Sequence, residues 1–195
     1  DVQVDFVTGS LAVPGAAAAI APLNRCIEAF ATRRLPIVAT RDWHPPDHRS
    51  FRAQGGPWPA HCVAQTPGAA FAPGLRLPED ALLVSKATET DREAYSGFEG
   101  TDLDSRLKRL GVRRLFVGGL ATDYCVLRTV RDALALGYAT FVLADAIRAV
   151  DAHPGDGGRA EEDMRVHGAL FVRLGELFPD GDASGQDGPS TLLTP

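Results

Sequence analysis

Short apolar runs rich in β-branched residues alternate along this chain with longer stretches of helical periodicity, and this rhythm constrains the fold more than any other feature. Such alternation is typical of α/β domains built on a parallel sheet. The predicted strands are Leu35–Thr40, Ala81–Val84, Arg114–Val117, Thr140–Leu143 and Ala169–Val172. The predicted helices are, in round bounds, Ile20–Arg33, Asp102–Leu110, Thr122–Leu136 and Arg159–Val166. Thr122 is expected to cap the third helix and Gly137 to end it.

The length and the two ends of the chain suggest one domain with a tail. A chain of 195 residues is long enough for one domain with a single core, which we place at residues 1–178. The segment 179–195 is rich in Gly, Asp and Ser and is expected to be disordered. Residues Asp1–Phe6 (DVQVDF) look like the end of a strand that runs into a loop, so a buried strand is expected before Asp1.

The charge and the cysteine content argue against several classes of protein. The net charge of −5 at pH 7 gives no electrostatic support for a nucleic-acid or anionic-membrane partner. No apolar run approaches the ~20 residues that a membrane-spanning helix needs. The three cysteines, Cys26, Cys62 and Cys125, are widely spaced, which fits reduced thiols in a cytoplasmic protein better than a disulfide framework.

A cluster of metal-ligating side chains follows the first predicted strand. Asp42, His44 and His48 lie within seven residues, and His61 follows thirteen residues after His48. A carboxylate with imidazoles is a ligand set for Zn²⁺, Fe²⁺ or Mn²⁺. Because residues two apart in an extended segment point to the same side, Asp42 and His44 can converge on one ion, and His48 and His61 can close the site from the loop. The alternative is that all four are ordinary polar loop residues that only form hydrogen bonds.

Cys125 is the predicted nucleophile. It follows a predicted buried strand and the glycines Gly118 and Gly119, at the entrance to a predicted helix. Backbone N–H groups and the helix dipole at that end stabilise a thiolate, so we expect a lowered pKa of the Cys125 thiol. The same N–H groups are suited to hold an oxyanion. The alternative is an inert cysteine packed in the core, which is how we interpret Cys26 and Cys62.

A cysteine nucleophile also needs a base and a group that manages charge. Asp1 and Lys86 lie at or just beyond the carboxyl ends of strands, the edge at which α/β folds place their sites. We therefore expect both side chains beside Cys125. The alternative for Lys86 is a solvated surface charge.

Taken together, these motifs resemble those of nicotinamidases, within the isochorismatase-like cysteine hydrolases. The resemblance covers the chain to about residue 175 and rests on six motifs in order: Asp1–Phe6 (DVQVDF), Asp42–His48 (DWHPPDH), Trp58–Cys62 (WPAHC), Lys86, Tyr95–Glu99 (YSGFE) and Gly118–Cys125 (GGLATDYC). It implies a three-layer α/β fold with a mostly parallel six-stranded sheet flanked by helices, often assembled as a homo-oligomer. Val4 departs from the resemblance, because the family usually has asparagine there.

The resemblance also implies catalytic roles. Asp1, Lys86 and Cys125 would form a catalytic triad. A cis peptide between Leu120 and Ala121 would direct the Ala121 N–H, together with the N–H of Cys125, into an oxyanion hole.

For the ligands, the resemblance implies a divalent metal ion and a small aromatic amide. The metal ligands would be Asp42, His44 and His61, with His48 as a fourth ligand in some relatives. Phe6 and Trp58 would sandwich the substrate ring, and Tyr95 would line the same pocket.

The expected activity is metal-dependent hydrolysis of nicotinamide to nicotinate and ammonia through a thioester on Cys125, with zinc favoured over iron or manganese. The nearest alternative is an amidase for another small substrate, such as an N-carbamoyl compound. The metal cluster favours nicotinamide, because relatives that act on non-pyridine substrates generally lack these histidines. Isochorismatase activity fits less well, since that reaction does not use the cysteine. A non-catalytic metal-binding module is the alternative from a different class, although structural zinc sites are usually closed by four protein ligands.

Overall fold

Five strands form the framework that positions the site. The structure, a computed structural model, describes residues 1–178, so the predicted disordered tail lies outside the described residues. The strands are β1 (Val38–Asp42), β2 (Leu82–Lys86), β3 (Arg114–Leu120), β4 (Ala139–Arg148) and β5 (Leu170–Val172). Every paired strand runs parallel to its neighbour, which confirms the α/β class that the alternating pattern predicts.

The strands lie in two sheets, so the expectation of one six-stranded sheet is wrong for the described residues. β1 pairs with β2, and the second sheet has the order β3-β4-β5. A cavity of about 150 Å³ separates β1 from β3, and its lining includes Val38 and Thr40 on one side and Phe116 and Gly118 on the other. No described segment runs through this gap as a strand, and the facing edges of β1 and β3 are therefore not joined by strand pairing.

The helices cover the strands and connect them. They are α1 (Val4–Val7), α2 (Ile20–Thr32), α3 (Leu103–Arg109), α4 (Leu127–Ala135), α5 (Asp156–Val166) and α6 (Leu174–Leu177). Short 3₁₀ turns lie at Ala16–Ala19, Arg52–Gln54 and Pro67–Ala69. None of the helices within residues 1–178 has the length and apolar character needed to cross a membrane.

The long helix predicted over Thr122–Leu136 is divided in the structure. Thr122–Val126 forms a π-helical turn, and α4 begins only at Leu127. Thr122 is not the cap, because the extended residue Ala121 holds that position and no side chain caps the turn. Gly137 is confirmed as the residue after the helix: its φ of +90° is a left-handed conformation that favours glycine.

The first two strands end two residues later than the apolar pattern predicts. β1 ends at Asp42 and β2 at Lys86, and these two residues are direct partners in the parallel register. Their side chains therefore leave the sheet together at its carboxyl edge, where α/β folds place their sites. β3 ends at Leu120, so Cys125 follows at the same kind of edge.

The core lies on both faces of β4. Val142 packs with Val126, Val130 and Met164, whereas the next residue, Leu143, packs with a different cluster that includes Leu23 and Leu174. This alternation follows from the period of two along a strand. Full burial of each such side chain contributes roughly 1.5–3 kcal/mol to folding, and this core holds the π-helical turn that carries Cys125.

Candidate active site

Lys86 is the buried centre of the site. Its side chain is 1% exposed, and its ammonium lies 3.1 Å from Oδ2 of Asp1 and in contact with Oδ1 of Asp42. The ammonium also donates to the carbonyl oxygen of Ala94 at 3.3 Å. Two carboxylates thus share one cation, and the alternative of a solvated surface lysine is wrong.

The charges of this group stabilise one another. Burial alone would lower the pKa of Lys86, but the Asp42 carboxylate and the Cys125 sulfur outweigh it and the pKa is raised. Burial alone would raise the pKa of Asp42, but Lys86 and His44 reverse that effect and the pKa is lowered. At neutral pH the site therefore holds the Lys86 ammonium and the Asp42 carboxylate, both excluded from water, an arrangement that favourable geometry must compensate.

The Cys125 sulfur lies 3.4 Å from the Lys86 ammonium, in the π-helical turn after β3. Such turns occur frequently at functional sites. The expected lowering of the thiol pKa does not hold in the resting site: burial is the largest effect and raises the pKa, while Lys86 opposes it only in part. The resting sulfur is therefore a thiol that needs a base.

Asp1 lies where such a base is needed. One carboxylate oxygen of Asp1, one of Asp42 and the sulfur of Cys125 all lie within 4.8 Å of one another. Oδ1 of Asp1 is buried and has no hydrogen-bond partner among residues 1–178. A buried, unpaired carboxylate oxygen next to a thiol is able to accept its proton.

Asp42, His44 and His61 form a group of side chains that could hold a metal ion. Their ligand atoms lie within 4.8 Å of one another, and all three residues are buried. Nδ1 of His44 donates to the carbonyl oxygen of His61 at 3.0 Å, and Nδ1 of His61 donates to that of Pro59 at 2.8 Å. These bonds leave Nε2 of each ring with a free lone pair. Metal-binding histidines usually donate their other ring N–H to the protein in this way.

Burial keeps His44 in the form that binds metal. It lowers the pKa of this imidazole to about 4, although the Asp42 carboxylate partly opposes the shift. The ring is therefore neutral at pH 7, as a metal ligand must be.

His48 lies beside this group with both of its ring nitrogens engaged. Nδ1 is 2.7 Å from Oγ of Ser50, and Nε2 is 3.0 Å from the carbonyl oxygen of Arg92. The structure places its ligand atom with those of His44 and Glu93, within 4.8 Å, rather than with the group that contains Asp42. Sequence reasoning missed Glu93, which has no motif of its own.

An aromatic wall stands next to the cysteine. Nε1 of Trp58 donates to the hydroxyl of Tyr95 at 3.0 Å. The ring of Tyr124 lies 5.1 Å from that of Trp58 and 5.5 Å from that of Tyr95. Sequence reasoning predicted Trp58 and Tyr95 but missed Tyr124, whose position directly before Cys125 was the available signal.

Phe6 and the turn before the cysteine complete the surroundings. The ring of Phe6 lies 5.5 Å from that of His61, and the side chain packs in one apolar cluster with Leu120 and Ala121. The peptide between Leu120 and Ala121 is cis, as the resemblance implies. Phe6 therefore lies between the metal group and the turn that leads to Cys125.

Known proteins resemble this chain over most of its length. The Isochorismatase domain family matches residues 1–161. The nicotinamidase of Escherichia coli (strain K12) is 35% identical over an alignment that covers 90% of this chain and 93% of that protein.

Two solved structures have the same fold over nearly the same span. The pyrazinamidase of Pyrococcus horikoshii, in complex with zinc, is 49% identical with a TM-score of 0.85, over 89% of this chain and 95% of that one. PnC1 from L. infantum, in complex with nicotinate, is 32% identical with a TM-score of 0.81, over 89% of each chain. The chain therefore belongs to the isochorismatase family and, within it, is similar to nicotinamidases.

Proposed function

We propose that this protein hydrolyses nicotinamide to nicotinate and ammonia, with Cys125 as nucleophile and a divalent metal ion bound by Asp42, His44 and His61. One observation carries the proposal: the Cys125 sulfur lies within 4.8 Å of carboxylate oxygens of both Asp1 and Asp42. The nucleophile, its base and a metal ligand therefore border one space. The similarity to the E. coli nicotinamidase and to a nicotinate complex supports nicotinamide as the substrate.

The first half of the reaction forms a thioester. The Cys125 thiol gives its proton to Asp1, and the thiolate attacks the carboxamide carbon of the substrate. Lys86, 3.4 Å from the sulfur, stabilises the thiolate as it forms. The N–H groups of Ala121 and Cys125 hold the oxyanion. Asp1 then protonates the departing nitrogen, the C–N bond breaks, and ammonia leaves.

The second half returns the enzyme to its resting state. Asp1, again a carboxylate, takes a proton from a water molecule that attacks the thioester carbon. The C–S bond breaks, the sulfur recovers the proton from Asp1, and the nicotinic acid that leaves gives its own proton to the solvent and becomes nicotinate. Lys86 keeps its proton throughout, because its pKa is raised by the Asp42 carboxylate and the Cys125 sulfur that surround it.

The residues of the metal group fit a divalent cation. One carboxylate oxygen and two free Nε2 atoms are a common donor set for zinc and related ions. A cation would also offset carboxylate charge, because the single Lys86 ammonium is shared between the carboxylates of Asp1 and Asp42. An ion held by these residues would supply a Lewis acid next to Cys125, to which the ring nitrogen of the substrate would bind so that the carboxamide is directed toward the sulfur. The zinc complex of the P. horikoshii pyrazinamidase supports zinc as the first metal to test.

The aromatic side chains give the site its preference for a flat ring. Trp58 and Tyr95 are held together by a hydrogen bond, so their faces are fixed before substrate arrives. Offset or edge-to-face packing of an aromatic ring on such walls contributes roughly 0.5–1.5 kcal/mol per pair beyond the area that it buries. The amide of an aliphatic compound would gain none of this.

A related amidase for another small substrate remains the second candidate, and an assay with several amides separates the two. Ammonia release is measured with nicotinamide, pyrazinamide, benzamide and N-carbamoylsarcosine, before and after treatment with a chelator. We expect fast release from nicotinamide and pyrazinamide, slow release from benzamide because it lacks the ring nitrogen, and loss of activity on chelation that zinc restores. Preferential hydrolysis of N-carbamoylsarcosine, or full activity after complete removal of metal, would contradict the proposal.

A further inference from the structure

Gln3 holds both backbone groups of a metal-binding residue. It is fully buried, with 0% of its surface exposed. Its Nε2 donates to the carbonyl oxygens of Asp42 at 2.8 Å and of Ala69 at 2.9 Å, and its Oε1 accepts from the N–H of Asp42 at 2.8 Å. The side-chain amide of Gln3 therefore fixes the peptide groups on both sides of Asp42. It does so along the edge of β1 that does not pair with β2.

Asp5 holds the other part of the metal group. Its Oδ2 accepts from the N–H of Cys62 at 2.8 Å. The carbonyl of the same peptide, that of His61, accepts from Nδ1 of His44 at 3.0 Å. One peptide is thus held from its two ends, by Asp5 and by a metal-binding ring. Cys62 needs this support, because its φ of +46° is a left-handed conformation that side chains other than glycine rarely adopt.

The Asp5 carboxylate occupies space that two glycines leave open. A Cβ atom on Gly9 or on Gly68 would lie 2.3 Å or 2.1 Å from its oxygens. Oδ1 also accepts from the N–H of Ser10 at 3.2 Å. A larger residue at either glycine would therefore displace the carboxylate that accepts from Cys62.

We propose that Gln3 and Asp5 are positioning residues that hold Asp42, His44 and His61 in place relative to the carboxylate of Asp1. The segment that carries the base thereby also holds the two chain segments that carry the metal ligands. This inference rests on the metal site of the proposed function. Hydrogen-bond partners of this kind, one step removed from the metal, typically change metal affinity by about 10–100-fold when they are lost.

The first test is the substitution Gln3→Glu, which keeps the shape but turns an oxygen instead of a donor toward two carbonyl groups. We expect its affinity for Zn²⁺, measured by competition with a chromophoric chelator, to fall by about 10–100-fold. We also expect the visible absorption spectrum of the Co²⁺-loaded protein to change, because that spectrum reports the geometry of the ligands. A loss of packing alone would leave the spectrum as it is.

Asn24→Asp is the matched control. Asn24 is also buried, and its amide also joins two backbone groups: Nδ2 donates to Gly74 O at 2.7 Å and Oδ1 accepts from the N–H of Arg76 at 2.8 Å. It lies in α2, outside the metal group. We expect this variant to lose thermal stability but to keep the Zn²⁺ affinity and the Co²⁺ spectrum of the wild type. If Gln3→Glu behaves in the same way as Asn24→Asp, Gln3 is only structural and the proposal is overturned.

Substitutions at Asp5 decide the question if Gln3→Glu does not fold. Asp5→Asn keeps an oxygen that can accept from Cys62, whereas Asp5→Ala removes it. We expect Zn²⁺ affinity to follow the order wild type, Asp5→Asn, Asp5→Ala, and equal affinities in all three would overturn the proposal. A wild-type protein that binds no Zn²⁺ would instead overturn the metal site of the proposed function, and the inference with it.

Discussion

The Lys86 ammonium and the Cys125 sulfur lie 3.4 Å apart, and both residues are almost excluded from water, at 2% and 7% exposure. At this distance in a buried site, a cation favours the thiolate over the thiol, while burial favours the thiol. The balance between these two effects sets how reactive the cysteine is.

Replacement of Lys86 by methionine tests that balance. We expect Lys86→Met to slow alkylation of Cys125 by iodoacetamide at pH 7 by about tenfold or more, since a shift of one pKa unit changes the thiolate fraction tenfold. Rates are measured by mass spectrometry of the peptide that contains Cys125, below the melting temperature of the variant. Lys108→Met is the control, because Lys108 is exposed and pairs with Asp104 on α3. Equal alkylation rates in the wild type and Lys86→Met would contradict this account of the sulfur.

The two histidines His61 and His48 are expected to differ in their contribution to metal binding. His61→Gln should weaken Zn²⁺ binding by more than the roughly 10–100-fold that is typical when a hydrogen-bond partner of a metal ligand is lost, because it removes a proposed ligand whose Nε2 is free. His48→Gln should have a much smaller effect, because both nitrogens of His48 already bind protein groups. Isothermal titration of the metal-free proteins measures both affinities. A loss of affinity in His48→Gln as large as that in His61→Gln would identify His48 as a direct ligand instead.

Tyr95 is expected to act on substrate binding rather than on chemistry. Tyr95→Phe removes the acceptor for the Trp58 indole at 3.0 Å and frees that ring to move. We expect KM for nicotinamide to rise by about 3–10-fold with little change in kcat, which corresponds to the roughly 0.5–1.5 kcal/mol of one neutral hydrogen bond. Tyr138→Phe loses a comparable bond, to Asp104 Oδ1 at 2.8 Å, away from the site and should leave KM unchanged. A fall in kcat with constant KM in Tyr95→Phe would assign the residue a different role.

Cys26 gives the protein a dependence of stability on pH. Burial, with a smaller contribution from Asp145, raises the pKa of the Cys26 thiol to about 12 from its ordinary value of 9.0. The folded protein therefore keeps this proton over a range in which the unfolded chain loses it. The resulting contribution to stability is complete below pH 9 and is lost as the pH rises from 9 toward 12.

The variant Cys26→Ala isolates that contribution. Between pH 9 and pH 10, the free energy of unfolding should fall by about 1 kcal/mol more in the wild type than in the variant. Urea unfolding of both proteins at the two pH values measures these changes in the free energy of unfolding. The contributions of the other titrating groups are the same in both proteins and cancel in the comparison. A difference between the two proteins that stays constant across this range would show that Cys26 does not titrate with a raised pKa.

Much of the fold could be predicted because apolar periodicity follows burial. The pattern predicted all five strands and the helices α2 to α5. It ended β1 and β2 too early, since Asp42 and Lys86 are polar and the apolar run stops before the hydrogen-bonded pairing does. The division into two sheets could not be predicted, because pairing between strands depends on contacts that are distant along the chain.

The residues of the site could be predicted by type but not by environment. Histidines and carboxylates in a short segment predict a metal group, yet the sequence does not say which ring nitrogens are already bonded. Both ring nitrogens of His48 contact protein groups, whereas only Nδ1 of His61 does. The helix entrance predicted a lowered pKa for Cys125, but burial of the sulfur, a tertiary property, has the opposite and larger effect. Gln3 was missed because its partner, Asp42, lies 39 residues away.

Ammonia release by Cys125→Ala decides whether the sulfur of Cys125 is the group that attacks the amide. Release from nicotinamide is measured for the wild type, Cys125→Ala and Cys26→Ala, and binding of nicotinamide to each zinc-loaded protein is measured by calorimetry. We expect Cys125→Ala to bind nicotinamide but to release no ammonia above the uncatalysed rate, while Cys26→Ala keeps its activity. Ammonia release by Cys125→Ala at a rate near that of the wild type would contradict it.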